Sequence, residues 1–119
     1  MRVHVVNVLR PETETAAQTL DRISDFASQV EARGFHGLWV TDSFGRGRPT
    51  LDPVVLMSVI AAVTGKIEVG TCVLQVPVRH PIELAHRIGG LHALTGSRLM
   101  LGLGWLFVLF GRLRRGLLR

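Results

Sequence analysis

Residues 37–73 contain Gly37-Leu38-Trp39-Val40-Thr41, then Asp52-Pro53-Val54-Val55-Leu56-Met57-Ser58-Val59-Ile60-Ala61-Ala62-Val63-Thr64-Gly65, then Ile67-Glu68-Val69-Gly70-Thr71-Cys72-Val73. The outer segments are short, β-branched and apolar, as in a strand buried on both faces. The middle segment opens with Asp-Pro, a carboxylate cap followed by proline at the first helical position. Gly65 closes it. The unit is strand–helix–strand, and two such strands can lie parallel because the helix provides the crossover. Working outward, Val3-His4-Val5-Val6-Asn7-Val8-Leu9 is a first strand, nearly continuous in β-branched residues and expected to be buried on both faces; Pro11 ends it.

Between the first two strands, Thr15 and Gln18 have the spacing of a capping box. Ala16, Leu20, Ile23, Ala27 and Val30 then form one helical stripe, closed by Gly34. After the third strand a loop with Pro77 leads to His80-Pro81, a second cap-plus-proline start. That helix is expected to turn Leu84, Ala85, Ile88 and Leu91 inward and to end near Gly96, and Arg98 to Leu103 begins a fourth strand. Strands starting near residues 3, 37, 67 and 99 are 34, 30 and 32 residues apart. An eight-unit barrel of about 250 residues uses about 31 per unit. The expected fold is therefore α/β, a partial (β/α)8 TIM barrel holding the first four βα units, with residues 1–104 as half of the barrel domain. The rival, a doubly wound dinucleotide-binding sheet, needs Gly-x-Gly-x-x-Gly after the first strand. That turn reads Asn7-Val8-Leu9-Arg10-Pro11-Glu12, without a glycine.

Composition narrows the function classes. The 119 residues are 47% hydrophobic and 19% charged, the balance of a globular protein and not of a disordered tail. One cysteine excludes a disulfide scaffold and a Cys-rich zinc module. No basic segment followed by an apolar run opens the chain, so a cytoplasmic location is expected. The net charge of +5 comes from 14 Lys+Arg against 9 Asp+Glu. Arg112, Arg114, Arg115 and Arg119 crowd the last eight residues, and removing them leaves 10 against 9. A nucleic-acid footprint would be spread over a folded face, so no nucleic-acid partner is expected. His4, His36, His80, His86 and His92 show no metal-ligand spacing, and no metal is expected.

Several fragments, in this order and spacing, resemble the luciferase-like monooxygenase family. They are Gly34-Phe35-His36-Gly37-Leu38-Trp39-Val40-Thr41-Asp42, Leu51-Asp52-Pro53, Gly70-Thr71-Cys72-Val73, Arg79-His80-Pro81 and Leu94-Thr95-Gly96-Ser97-Arg98-Leu99-Met100-Leu101-Gly102-Leu103-Gly104. The resemblance covers residues 3 to about 104, the first half of a family domain. It implies a (β/α)8 oxidoreductase using FMN or coenzyme F420 on a small organic substrate. It also implies that the flavin sits in the barrel mouth against a bulged end of the third strand, beside a non-proline cis peptide whose match here is Cys72–Val73. Asp42, Thr71, Cys72, Val73 and Gly104 are the cofactor-binding residues so implied; no catalytic residue is assigned. Gly70 and Thr71 are small enough to let backbone approach a ring closely. Many deazaflavin enzymes carry His where this chain has Ser43, and a hydroxyl does not act as a base near neutral pH as imidazole does.

Each of these residues also has a plainer reading. Asp42 can accept backbone hydrogen bonds in a turn, Asp52 is a helix cap, and Cys72 is expected to be inert and buried. Trp39 is expected in the barrel core. His80 is either functional or a cap before Pro81, and Arg46 and Arg48 either meet an anion or are solvated. The segment 105–119 departs from the family pattern: it is apolar, then Arg-rich, without an acidic residue. From Leu99 to Gly111 the uncharged run is shorter than the ~20 residues that span a bilayer, so no membrane span is expected. A truncated or frame-shifted reading is the expected origin of this segment, with activity of the piece alone in question. Open first and fourth strands imply self-association through sheet edges, and a non-catalytic interaction module is the alternative function.

Overall fold

The computed structural model describes residues 1–7, 13–43 and 49–104. Four strands, β1 (His4–Asn7), β2 (Gly37–Val40), β3 (Glu68–Gln75) and β4 (Leu99–Gly104), alternate with helices α1 (Ala16–Ala32), α2 (Pro53–Val63) and α3 (Pro81–Thr95). The strands lie in the order β1-β2-β3-β4, every pair parallel. This is the first half of the alternation that closes an eight-stranded barrel.

Local chemistry sets the helix boundaries. Thr15 and Gln18 form the capping box at the start of α1, with the Gln18 amide N–H donating to Thr15 Oγ1 at 3.3 Å. The carboxylate of Asp52 accepts from Val54 N and Val55 N at 2.9 and 3.3 Å to open α2. Gly34 (φ 79°) and Gly96 (φ 59°) take the positive φ that glycine allows most readily, at the ends of α1 and α3. At the far end of α2, Thr64 already leaves the helix. Glu31 of α1 then receives three successive backbone donors ahead of β3: Gly65 N at 3.0 Å, Lys66 N at 2.7 Å and Ile67 N at 3.1 Å.

The core lies between the helix layer and one face of the sheet. Ile23, Ala27 and Val30 of α1, Leu56, Met57 and Ile60 of α2, and Leu91 of α3 meet Leu38, Val40 and Val69. Side chains alternate across a strand, so Trp39 faces away from this core; it is half-buried, its ring centroid 5.0 Å from that of His4. That face is the one that lines the interior of a closed (β/α)8 barrel, so Trp39 points where a barrel-core residue should. β1 is not buried on both faces: Val6, level with Trp39 on the face away from the helices, is 51% exposed because no layer covers that face beside it among the described residues. Val8, Leu9 and Pro11 lie outside the described residues. In α1 the stripe is buried only from Ile23 onward, Leu20 being half exposed. In α3 Ala85 is exposed, since the buried edge runs through Leu84, Ile88, Leu91 and Thr95, one position away from it.

Candidate functional site

Parallel strands place all their C-terminal ends on one rim, where the following loops converge. Asp42 sits two residues beyond β2, with its side chain almost fully buried (2% exposed). Its Oδ2 accepts the Gln75 backbone N–H at 2.9 Å and Arg79 Nη1 at 2.5 Å, while Gln75 Nε2 donates to the Asp42 carbonyl at 2.7 Å. Arg79 Nη1 also donates to the Gln75 carbonyl at 2.9 Å, and its Nη2 lies 3.4 Å from Asp52 Oδ2. The ends of β2 and β3 and the cap of α2 are thereby joined through one guanidinium. Burial by itself would lower the Arg79 pKa, but hydrogen bonds to Asp42 and Asp52 and their negative charges raise it above its ordinary value.

Beside this clasp, β3 is irregular. Its register with β4 runs Thr71↔Leu101 and resumes at Leu74↔Leu103, so Cys72 and Val73 face the single residue Gly102. That is a bulge, a device that re-aims side chains near a strand end. The Cys72–Val73 peptide is cis, at the position the sequence comparison with the family indicated. Thr71 is fully buried, and its hydroxyl donates to the Gly102 carbonyl at 3.0 Å. Cys72 is a free and exposed thiol, which corrects the expectation of a buried one. Val73 is half-buried, its Cγ2 filling the place of a Cβ at Gly104, and Gly104 pairs with Gln75 in the ladder. The five residues singled out from sequence therefore share one rim: four on β3 and β4, and Asp42 tied to them through Gln75. The small size of Gly70 has a nearer cause than an approaching ring, because a Cβ there would lie 2.5 Å from the Met100 carbonyl oxygen of β4.

Sequence reading did not single out Gln75, Arg79, Trp39 or Thr41 as site residues. Arg79 stood in a quoted fragment, and a cation following β3 opposite an acid following β2 was the available signal. Trp39 Nε1 and Thr41 Oγ1 are buried with no hydrogen-bond partner among the described residues. They lie two residues apart, hence on the same face of the strand line, away from Leu38 and Val40. His80 takes the first position before α3 without a side-chain capping bond, and it is exposed. It borders a cleft of about 200 Å³ lined also by Asp52, Arg79, Glu83 and Arg87. Arg46 and Arg48 lie outside the described residues, as do residues 105–119. Among the described residues no three His, Cys, Asp or Glu side chains converge as a metal site, and no helix is long and apolar enough to cross a membrane.

Known proteins resemble this chain in sequence and in fold. The family model for luciferase-like monooxygenases matches residues 1–105. The chain is 33% identical over 97 residues to 4-hydroxyprotoasukamycin monooxygenase of Streptomyces nodosus subsp. asukaensis, covering 81% of this chain and 26% of that protein. It is 31% identical over 88 residues to the F420-dependent glucose-6-phosphate dehydrogenase of Kineococcus radiotolerans, covering 70% and 26%. In structure it resembles the oxygenating constituent of 3,6-diketocamphane monooxygenase from Pseudomonas putida, solved with FMN, at a TM-score of 0.73 and 24% identity over 87% of this chain and 29% of that one. The chain thus spans about a quarter of the length of the curated relatives it matches. With the parallel half-barrel, the bulged third strand and a family match over nearly the whole sequence, the chain belongs to the luciferase-like monooxygenase family.

Proposed function

We propose that residues 1–104 supply the first four βα units of an FMN- or F420-dependent oxidoreductase, and that the bulged end of β3 backs the cofactor. The observation that carries this reading is the position of the bulge. It lies on the strand-end rim, where Cys72 is exposed and the facing strand offers Gly102 and Gly104. The orphaned hydroxyl of Thr41, just past β2, fits the same reading. A buried donor without an acceptor costs about 1–3 kcal/mol, and the carbonyl- and nitrogen-rich edge of a flavin or deazaflavin supplies acceptors. Thr41 Oγ1 would donate to it, and the backbone at Cys72–Val73 and Gly104 would lie against it. When bound, FMN supplies oxygen chemistry from its reduced state and F420 supplies hydride exchange, in each case toward a small organic substrate.

The chain's own residues prepare the rim. Asp42, Gln75 and Arg79 fix the ends of β2 and β3 relative to each other, and Thr71 ties β3 to β4. Among the described residues the two guanidinium groups beside the rim, Arg79 and Arg87, already pair with carboxylates. Titration of FMN and, separately, F420 into the full chain tests the reading by flavin fluorescence and deazaflavin absorbance. A saturable change with either cofactor supports it, and a strictly linear response with both contradicts it. A second reading, a non-catalytic module that self-associates, is favoured by the open edges: Val6 of β1 is 51% exposed and Leu103 of β4 is 61% exposed. Concentration-dependent dimerisation without cofactor binding would select it.

A further inference from the structure

We propose that Arg79 is the positioning residue of this rim and that Asp42 acts through Arg79 and Gln75 and does not touch the cofactor or substrate. This inference rests on the functional reading above, because it names how the same site is held. The carboxylate of Asp42 is only 2% exposed, and one of its oxygens already serves two donors from β3 and the loop that follows it. Arg79 is 15% exposed and meets Asp42, the Gln75 carbonyl and Asp52 at once. Asp42 Oδ2, the Gln75 N–H and the Arg79 guanidinium thus close a ring of contacts between two strand ends and the α2 cap. The fork of a guanidinium can reach three acceptors in fixed directions, whereas an ammonium at the same place is a single point charge.

The geometric consequence is that the Gln75 amide, three residues past Cys72, is fixed by a side chain of the neighbouring strand end. Gln75 pairs in turn with Gly104 of β4, so the position of three strand ends depends on one clasp. Such outer contacts set the placement of residues that do touch a ligand, and small displacements of those residues are felt strongly in binding and rate.

The test measures two quantities on the full chain and on Arg79→Ala, Arg79→Lys, Asp42→Asn and the Asp42→Asn/Arg79→Ala double variant. The first is hydrogen exchange of the Gln75 amide, and the second is affinity for FMN and F420. Arg79→Ala leaves the Gln75 N–H its Asp42 acceptor but removes the guanidinium that holds that carboxylate and the Gln75 carbonyl, and is expected to speed exchange at Gln75 by about tenfold. Affinity should fall by a similar factor, Arg79→Lys should recover part of both, and the double variant should be no worse than the poorer single one. An Asp42→Asn loss of affinity far exceeding that of Arg79→Ala, with exchange unchanged, would place Asp42 on the ligand and overturn the proposal. Unchanged exchange in Arg79→Ala would overturn it as well. If the unmodified chain binds neither cofactor, the functional reading fails, and the exchange results alone then decide whether Arg79 positions the β3 end.

Discussion

Glu31→Gln is the perturbation that most cleanly separates charge from shape in this fold. The carboxylate accepts the backbone N–H groups of Gly65, Lys66 and Ile67, at 3.0, 2.7 and 3.1 Å, where the chain leaves α2 and enters β3. Hydrogen bonds to an ionised acceptor contribute about 1.5–3 kcal/mol each and neutral ones about 0.5–1.5. Glutamine keeps one acceptor oxygen and turns an N–H₂ toward the remaining donors. After discounting for partial solvent access, the loss should be about 2 kcal/mol, against a total of about 5–15 for a typical domain. Burial acts to raise the Glu31 pKa, but the bonds from Lys66, Gly65 and Ile67, with the charge of Arg98, leave it below its ordinary 4.5. A depressed carboxylate contributes stability that is present above its unfolded pKa and is lost as pH falls through the folded one. Urea unfolding at pH 7 should therefore show the full difference between the parent and Glu31→Gln. At acidities below the folded pKa the two curves should converge. Equal midpoints at pH 7, or a difference that grows on acidification, would refute the reasoning.

Three further outcomes are expected. Gly70→Ala places a methyl 2.5 Å from the Met100 carbonyl, so β3 and β4 must part; a loss of about 1–3 kcal/mol in thermal or urea unfolding is expected. Thr41→Val removes an orphaned hydroxyl, so stability without cofactor should stay equal or rise by about 1 kcal/mol while flavin affinity falls; a large loss of stability would show that the hydroxyl has a protein partner. Asp52→Ala removes both the α2 cap and an acceptor of Arg79, and should lower stability by about 1–2 kcal/mol, read by the thermal midpoint.

Much of the fold was legible because its signals are local. The Asp52-Pro53 and Thr15–Gln18 starts and the glycine stops at 34 and 96 depend on a few adjacent residues, and each sits where the pattern placed it. Parallel order followed from strand spacing. Burial was less legible, since it depends on what covers each face: β1 reads as a doubly covered strand yet Val6 is half open, and Cys72 reads as a buried thiol yet is exposed. The rim positions of Asp42 and Cys72 were reachable from strand ends plus family resemblance. The Asp42–Arg79–Asp52 clasp was not, because it joins residues up to 37 apart through side-chain geometry that no periodicity encodes.

Amide-resolved NMR of the full chain during addition of FMN or F420 tests the central claim most directly. The account predicts saturable shifts confined to the strand-end rim, at Thr41, Cys72, Val73 and Gly104. Shifts centred instead on the opposite end of the sheet, around His4, His36 and Glu68, or none with either cofactor, would contradict it.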